Sequence, residues 1–130
     1  MARKKPKSRA AVGRLGKALT RRSRGRCELC DRREGVQPYE LAPWPEEPDL
    51  SRTLMTCLRC RTWLHFGTTD PVEAHFLNQA IWSDVPPVKL AAARLLIASD
   101  DLTDPWLSDA IEAAQVDPHT GEFAAGTEGT

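Results

Sequence analysis

The sequence predicts a small α+β domain: a four-cysteine module, made of a β-hairpin and a helix, packed on a C-terminal helical bundle. Three observations predict it. Four cysteines stand in two C-x-x-C pairs, Cys27/Cys30 and Cys57/Cys60, with 26 residues between the pairs. Two strand-like runs lie between those pairs, divided by a proline-rich stretch. Downstream, apolar residues recur at the helical period behind cap-and-proline signals. A length of 130 residues suits one domain. It is placed at residues 10–118, with the metal module at 24–66 and the helical part at 70–116. A basic arm (1–9) and a tail (119–130) flank it.

Each element has a local reason. "MARKKPKSR" carries repelling like charges and nothing apolar, which predicts disorder. A helix is expected from Ala10, because Ala11, Val12, Leu15, Ala18 and Leu19 share one stripe; Gly25 is its stop. "GVQPYEL" (35–41) and "RTLMT" (52–56) read as strands, and "APWPEEPDLS", with three prolines, as the loop between them. The segment from Cys57 to Phe66 reads as a helix offering Leu58 and Leu64 to the core and ending at Gly67. Asp70, Pro71 and Glu73 form the opening of a further helix, with Val72, Phe76 and Ala80 inward. "SDVPPVKLAAARLLIA" buries Val88, Ala91, Leu95 and Leu96. "TDPWLSDAIEAAQV", capped by Thr103 or Asp104, buries Trp106, Leu107, Ala110, Ile111 and Ala114. The Gly- and Thr-rich end is expected to fray.

The cysteines carry the strongest chemistry. Zinc favours four tetrahedral ligands, and four thiolates close its shell. A two-residue spacer lets both sulfurs of a pair turn toward one ion. The gap between pairs exceeds the usual spacing of about 15–20 residues, but loop closure costs only the logarithm of length. The spacing therefore points to one structural Zn2+ on Cys27, Cys30, Cys57 and Cys60. An iron–sulfur cluster uses the same ligand set. A redox C-x-x-C needs a βαβ setting that is not evident, and structural disulfides need an oxidising compartment. Four thiolates around a divalent ion leave a charge of −2, which Arg26, Arg32, Arg33, Arg59 and Arg61 are placed to offset.

Zero net charge conceals a split. Residues 1–26 hold eleven Lys or Arg and no acid, while the other 104 hold seven basic and eighteen acidic side chains, a net of −11. Arg14, Lys17, Arg21, Arg22, Arg24 and Arg26 are therefore the candidate contacts to nucleic acid or another polyanion. An acidic body could instead draw the arm back onto itself, or meet a protein partner. No apolar run reaches the roughly 20 residues of a membrane span; "KLAAARLLIA" (89–98) is the longest. No apolar h-region follows the basic N-terminus, so no secretory signal is read, although the composition also suits an organelle transit peptide. The expected location is cytoplasmic.

"CELC…YELAPWP…LMTCLRC", "LNQAIWSDVPPVKLAAARLL" (77–96) and "WLSDAIE" (106–112) together resemble the PhnA family, over about residues 17–118. The resemblance implies a four-cysteine zinc site, which carries over to Cys27, Cys30, Cys57 and Cys60. It implies no catalytic role, and no small-molecule substrate is expected. Many members carry a further β-rich domain; here only about a dozen residues follow Asp117, and they are not strand-like.

A cysteine pair, two strands and a second pair opening a helix also resemble a treble clef, or zinc-ribbon-like, layout. HNH nucleases share that scaffold, with a histidine ending the first strand and another just after the last cysteine pair. Here Tyr39 and Glu40 end the strand and Arg61 follows Cys60. Glu40 and His65 are thus the weak catalytic candidates, one able to hold a hard cation and the other to act as a base. His75 and His119 are read as surface residues. Trp63, Trp82 and Trp106 are assigned to the core. Trp44 either lids the core beside the hairpin or presents its ring to a base or peptide.

Overall fold

Leu90, Ala91, Ala92 and Ala93 are four consecutive residues buried to 0 % exposure, and their helix is the axis of the fold. The computed structural model describes residues 16–43, 46–47, 49–70, 73–99 and 105–124. Among them the α-helices are α1 (Gly16–Ser23), α2 (Leu58–Phe66), α3 (Leu77–Ala80), α4 (Pro86–Ser99) and α5 (Pro105–Ala114). Strands β1 (Gln37–Glu40) and β2 (Thr53–Thr56) form one antiparallel pair, and β3 (Val116–Asp117) and β4 (Glu122–Phe123) a second. The chain is thus a mixed α+β protein with a small two-strand hairpin and a four-cysteine cluster. Among the described residues, no helix is long and apolar enough to cross a membrane.

The alanines of α4 explain its central place. Small side chains on every side let α2, α3, α5, β2 and β4 all approach it. Val88, Ala91, Leu95 and Leu96 are buried as their spacing predicts, and Leu90, Ala92 and Ala93 extend burial around the helix. A helix apolar over most of its surface, broken by Lys89 and Arg94, belongs largely inside the fold.

In the first hairpin, Gln37 pairs with Thr56, Pro38 with Met55, Tyr39 with Leu54 and Glu40 with Thr53. Pro38 donates no ladder bond and sits on an edge strand, as proline must. All four residues of β2 are buried, so the usual alternation between core and solvent is missing. Helix α1 also packs on β2, and Glu28 N donates to Met55 O at 2.8 Å. Leu19 supplies the fully buried contact of α1. Ala18, expected on the same stripe, is exposed.

Four further expectations are corrected. Leu58 is 66 % exposed. Its neighbour two positions on, Cys60, faces the cluster, and two helical steps rotate a side chain about 200°. Leu64 packs against the core as expected. Trp63 is buried, but Trp82 and Trp106 are 53 % and 39 % exposed. Trp82 follows α3 beside buried Ile81, and Trp106 lies in the first turn of α5 beside buried Leu107, so each stands about 100° round from a core residue. The helix expected from Asp70 is the four-residue α3, entered through turns at 73–76. Phe76, just before it, is half-buried, and Ala80 within it is buried. The fraying tail is, up to Ala124, a hairpin: β4 pairs Val116 with Phe123, and Glu122 receives Arg52 and Arg94. Leu107, Ala110, Ile111 and Ala114 are buried as expected.

The arm at 1–9, the helical start from Ala10 to Leu15, Arg14, Trp44, Pro71, Val72 and the cap at Thr103 or Asp104 lie outside the described residues.

Candidate metal centre

Two different local structures present the sulfurs. The first pair sits on a tight turn: Asp31 N donates to Cys27 O at 2.8 Å, and Cys27 N to Arg32 O at 2.7 Å. Asp31 adopts a left-handed φ of 73°, a conformation that Asp tolerates better than most residues. The second pair opens α2. Cys57 is its N-cap residue, with no hydrogen bond from its side chain to the helix, so its sulfur is left for other use. Cys60 follows three residues on, on the same face. The helix N-terminus favours negative charge on both sulfurs. Arg61 fixes the junction, its Nη1 donating to Thr56 O at 2.7 Å and Gly35 O at 3.0 Å.

The four Sγ atoms lie within 4.8 Å of one another, and Cys30 and Cys57 are 3.6 Å apart. None of the four is in a disulfide. A tetrahedral ion with metal–sulfur bonds of about 2.3 Å requires sulfur–sulfur edges of about 3.8 Å. The cluster fits that requirement. Cys27, Cys57 and Cys60 are at most 1 % exposed, while Cys30 is half-buried on the wall of an open groove of about 460 Å³.

Protons are unevenly held in this cluster. Hydrogen bonds from Cys27 and then Cys60 hold Cys30 well below the usual thiol range, against its burial. The Cys60 thiol is pushed far up by Cys27 and Cys30, and Cys27 is raised chiefly by Cys30. Four sulfurs this close cannot all ionise without a cation among them. A divalent ion removes that obstacle, so metal uptake here releases protons.

Among the described residues, the four cysteines are the only group of three or more His, Cys, Asp or Glu side chains near enough to share an ion. Glu40 and His65 do not join such a group. Glu40 is buried at the end of β1, and its Oε2 accepts a bond from Asp49 N at 3.2 Å, holding the start of a 3-10 turn (Leu50–Arg52). His65 is exposed in the last turn of α2, edge-on to Phe66 with centroids 4.7 Å apart. His75 and His119 are exposed, as expected.

The basic candidates divide. Lys17, Arg21 and Arg24 are exposed. Arg22 is bound into the fold: it donates to both oxygens of Glu28, at 2.7 and 2.8 Å, and to Thr53 O at 2.8 Å. Arg26 Nη1 meets Asp31 at 3.1 Å. Arg59, between the two cysteines of the second pair, has a charge that the cluster supports. Burial opposes its charge, yet Cys30 and Cys60 raise its pKa above the ordinary value.

Glu28 was not anticipated, although "CELC" displays it. A carboxylate between two thiolates of an anionic centre requires its own cation, and that requirement was a usable signal. Comparison with family models, curated proteins and solved structures returns no match to this chain.

Proposed function

We propose that this chain is a non-catalytic zinc protein of the PhnA-like kind, in which one Zn2+ ties a treble-clef-like hairpin and helix together. The reading is carried by one observation: four cysteine sulfurs within 4.8 Å of one another, three of the cysteines almost fully buried. Four thiolates fill a tetrahedral shell and leave no position for water, which is what a structural site needs and a hydrolytic one lacks. Zinc, rather than an iron–sulfur cluster, is the choice for a single set of four sulfurs this tightly drawn.

The basic N-terminal segment supplies the partner in this reading. Lys17 and Arg21 on the exposed side of α1, and Arg24 just past its end, follow the cationic run that precedes them in sequence, and contact nucleic acid or another polyanion through phosphates. Its setting is the cytoplasm.

Metal analysis of the purified protein tests the first part, with one zinc per chain expected. Gel shifts across a salt series test the second. Residues 16–26 belong to the fold through Leu19 and Arg22, so the useful variants are a deletion of residues 1–15 and the triple change Lys17→Gln, Arg21→Gln, Arg24→Gln. Removing three phosphate contacts should flatten the salt slope by about 2–3. Binding unaffected by salt and by both variants would sink the polyanion reading. It would favour a protein partner instead, for which Leu58 and Phe66, 66 % and 68 % exposed on one side of α2, are the surface.

A further inference from the structure

We infer that Arg59 is the counter-cation of the metal centre: its Nε–H serves the thiolate of Cys30 once the ion is bound, and Trp63 and Phe76 form the shelf that holds the guanidinium in place. The inference rests on reading the four cysteines as a zinc centre.

The Arg59 Nε is buried and meets no hydrogen-bond acceptor in this structure. A buried donor left unpaired is costly, so it needs a partner in the working state. The cluster's sulfurs are its negative neighbours: Arg59 stands between Cys57 and Cys60 in the chain, and the Phe76 ring against its guanidinium lines the same groove as Cys30. Their charge becomes permanent when an ion replaces the cluster's protons, and a 4-thiolate site on a divalent ion keeps a net −2.

The placement of the guanidinium is specific. Its carbon lies 5.2 Å from the Trp63 ring centroid and 4.9 Å from that of Phe76. Those two rings are parallel within 1°, with centroids 5.9 Å apart. A planar cation against two ring faces is well held, and lysine offers neither the plane nor an Nε donor at that depth. On its outer side, Arg59 Nη1 reaches Glu73 at 3.3 Å. That carboxylate is 53 % exposed, so the pair contributes little and does not satisfy the buried Nε. The other arginines are engaged elsewhere, Arg61 by two backbone carbonyls and Arg26 by Asp31. Arg32 and Arg33 are exposed.

The test measures Zn2+ affinity by competition with a chromogenic chelator, and Co2+ uptake by its thiolate absorption, on the full chain. Arg59→Met keeps the stem and removes charge and donor. It should bind Zn2+ about 10–100-fold more weakly, the usual effect of losing a group that supports a ligand. Arg59→Lys should recover only part of that loss, and Glu73→Gln should stay within about twofold of wild type, as an exposed pair of little worth requires. Circular dichroism of the loaded variants checks that they fold. Arg59→Met with wild-type affinity overturns the inference while leaving the zinc reading intact. Full recovery in Arg59→Lys overturns the role of Nε. A wild-type protein that takes up neither ion removes both readings together.

Discussion

Arg22 and Glu28 form a two-bonded ion pair at 2.7 and 2.8 Å, and the same carboxylate accepts Met55 N at 2.8 Å. One acid therefore joins α1, the first cysteine turn and β2. Its side chain is 7 % exposed and that of Arg22 22 %. Removing the arginine strands a nearly buried negative charge beside an anionic centre. Arg22→Ala should lower stability by about 3 kcal/mol, the low end for breaking a buried pair. Urea unfolding of the metal-loaded protein measures it. A loss below about 0.5 kcal/mol, the scatter of ordinary surface changes, would mean that the pair is solvated in solution.

Metal removal has a larger consequence. The first cysteine turn and the start of α2 meet through sulfur, and a structural zinc contributes folding free energy outright. Chelation should loosen the module around Trp63, which near-ultraviolet circular dichroism reports. Cys57→Ser and Cys60→Ser should each abolish stoichiometric zinc. A chelated protein with unchanged near-ultraviolet signal and melting temperature would show that the ion is dispensable.

Acid should undo the C-terminal hairpin. Burial raises the Glu122 carboxyl, but Arg52 and Arg94 outweigh it and hold the group below its ordinary value of 4.5. A depressed folded-state pKa stabilises the protein above the unfolded-state value, and the gain is lost as pH falls through the folded one. The advantage of wild type over Glu122→Gln should therefore be full at neutral pH and shrink below about 4.5, the unfolded-state value that linkage uses as reference. Paired denaturation curves across pH 3 to pH 7 check it. An advantage that persists at the acid end would contradict the assignment.

Two leucines four positions apart should behave oppositely. Leu54 is fully buried in β2, and Leu54→Ala should cost about 2–5 kcal/mol through lost burial and the cavity left behind. Leu58, two-thirds exposed, should cost less than about 0.5 kcal/mol when cut to alanine. Thermal unfolding of the two variants separates them. Similar losses would mean that the outer face of α2 is covered in solution.

Much of this organisation was legible. Both hairpin strands, the helix opened by Cys57, its stop at Gly67 and the convergence of four sulfurs followed from spacing and punctuation. The failures share a physical cause. Periodicity groups residues on one face but does not fix where the edge of that face falls, so Trp82 and Trp106, each beside a buried residue, were put inside. Composition called residues 119–124 loose because it is blind to a carboxylate that finds two arginines 70 and 28 positions away. The roles of Arg22, Glu28 and Arg59 likewise depend on pairings that no local pattern encodes.

The Glu122 clasp also bears on how the protein is made. Arg52 and Arg94 converge on one carboxylate, and burial first and then Arg52 discourage the charge of Arg94, which Glu122 supports. During vectorial synthesis both arginines leave the ribosome first, so a nascent chain must hold two repelling cations until residue 122 emerges. Docking of α4 against the hairpin should then be a late event. Arrested chains released just before and just after residue 122, compared by protease resistance, should differ sharply; equal resistance would count against this order.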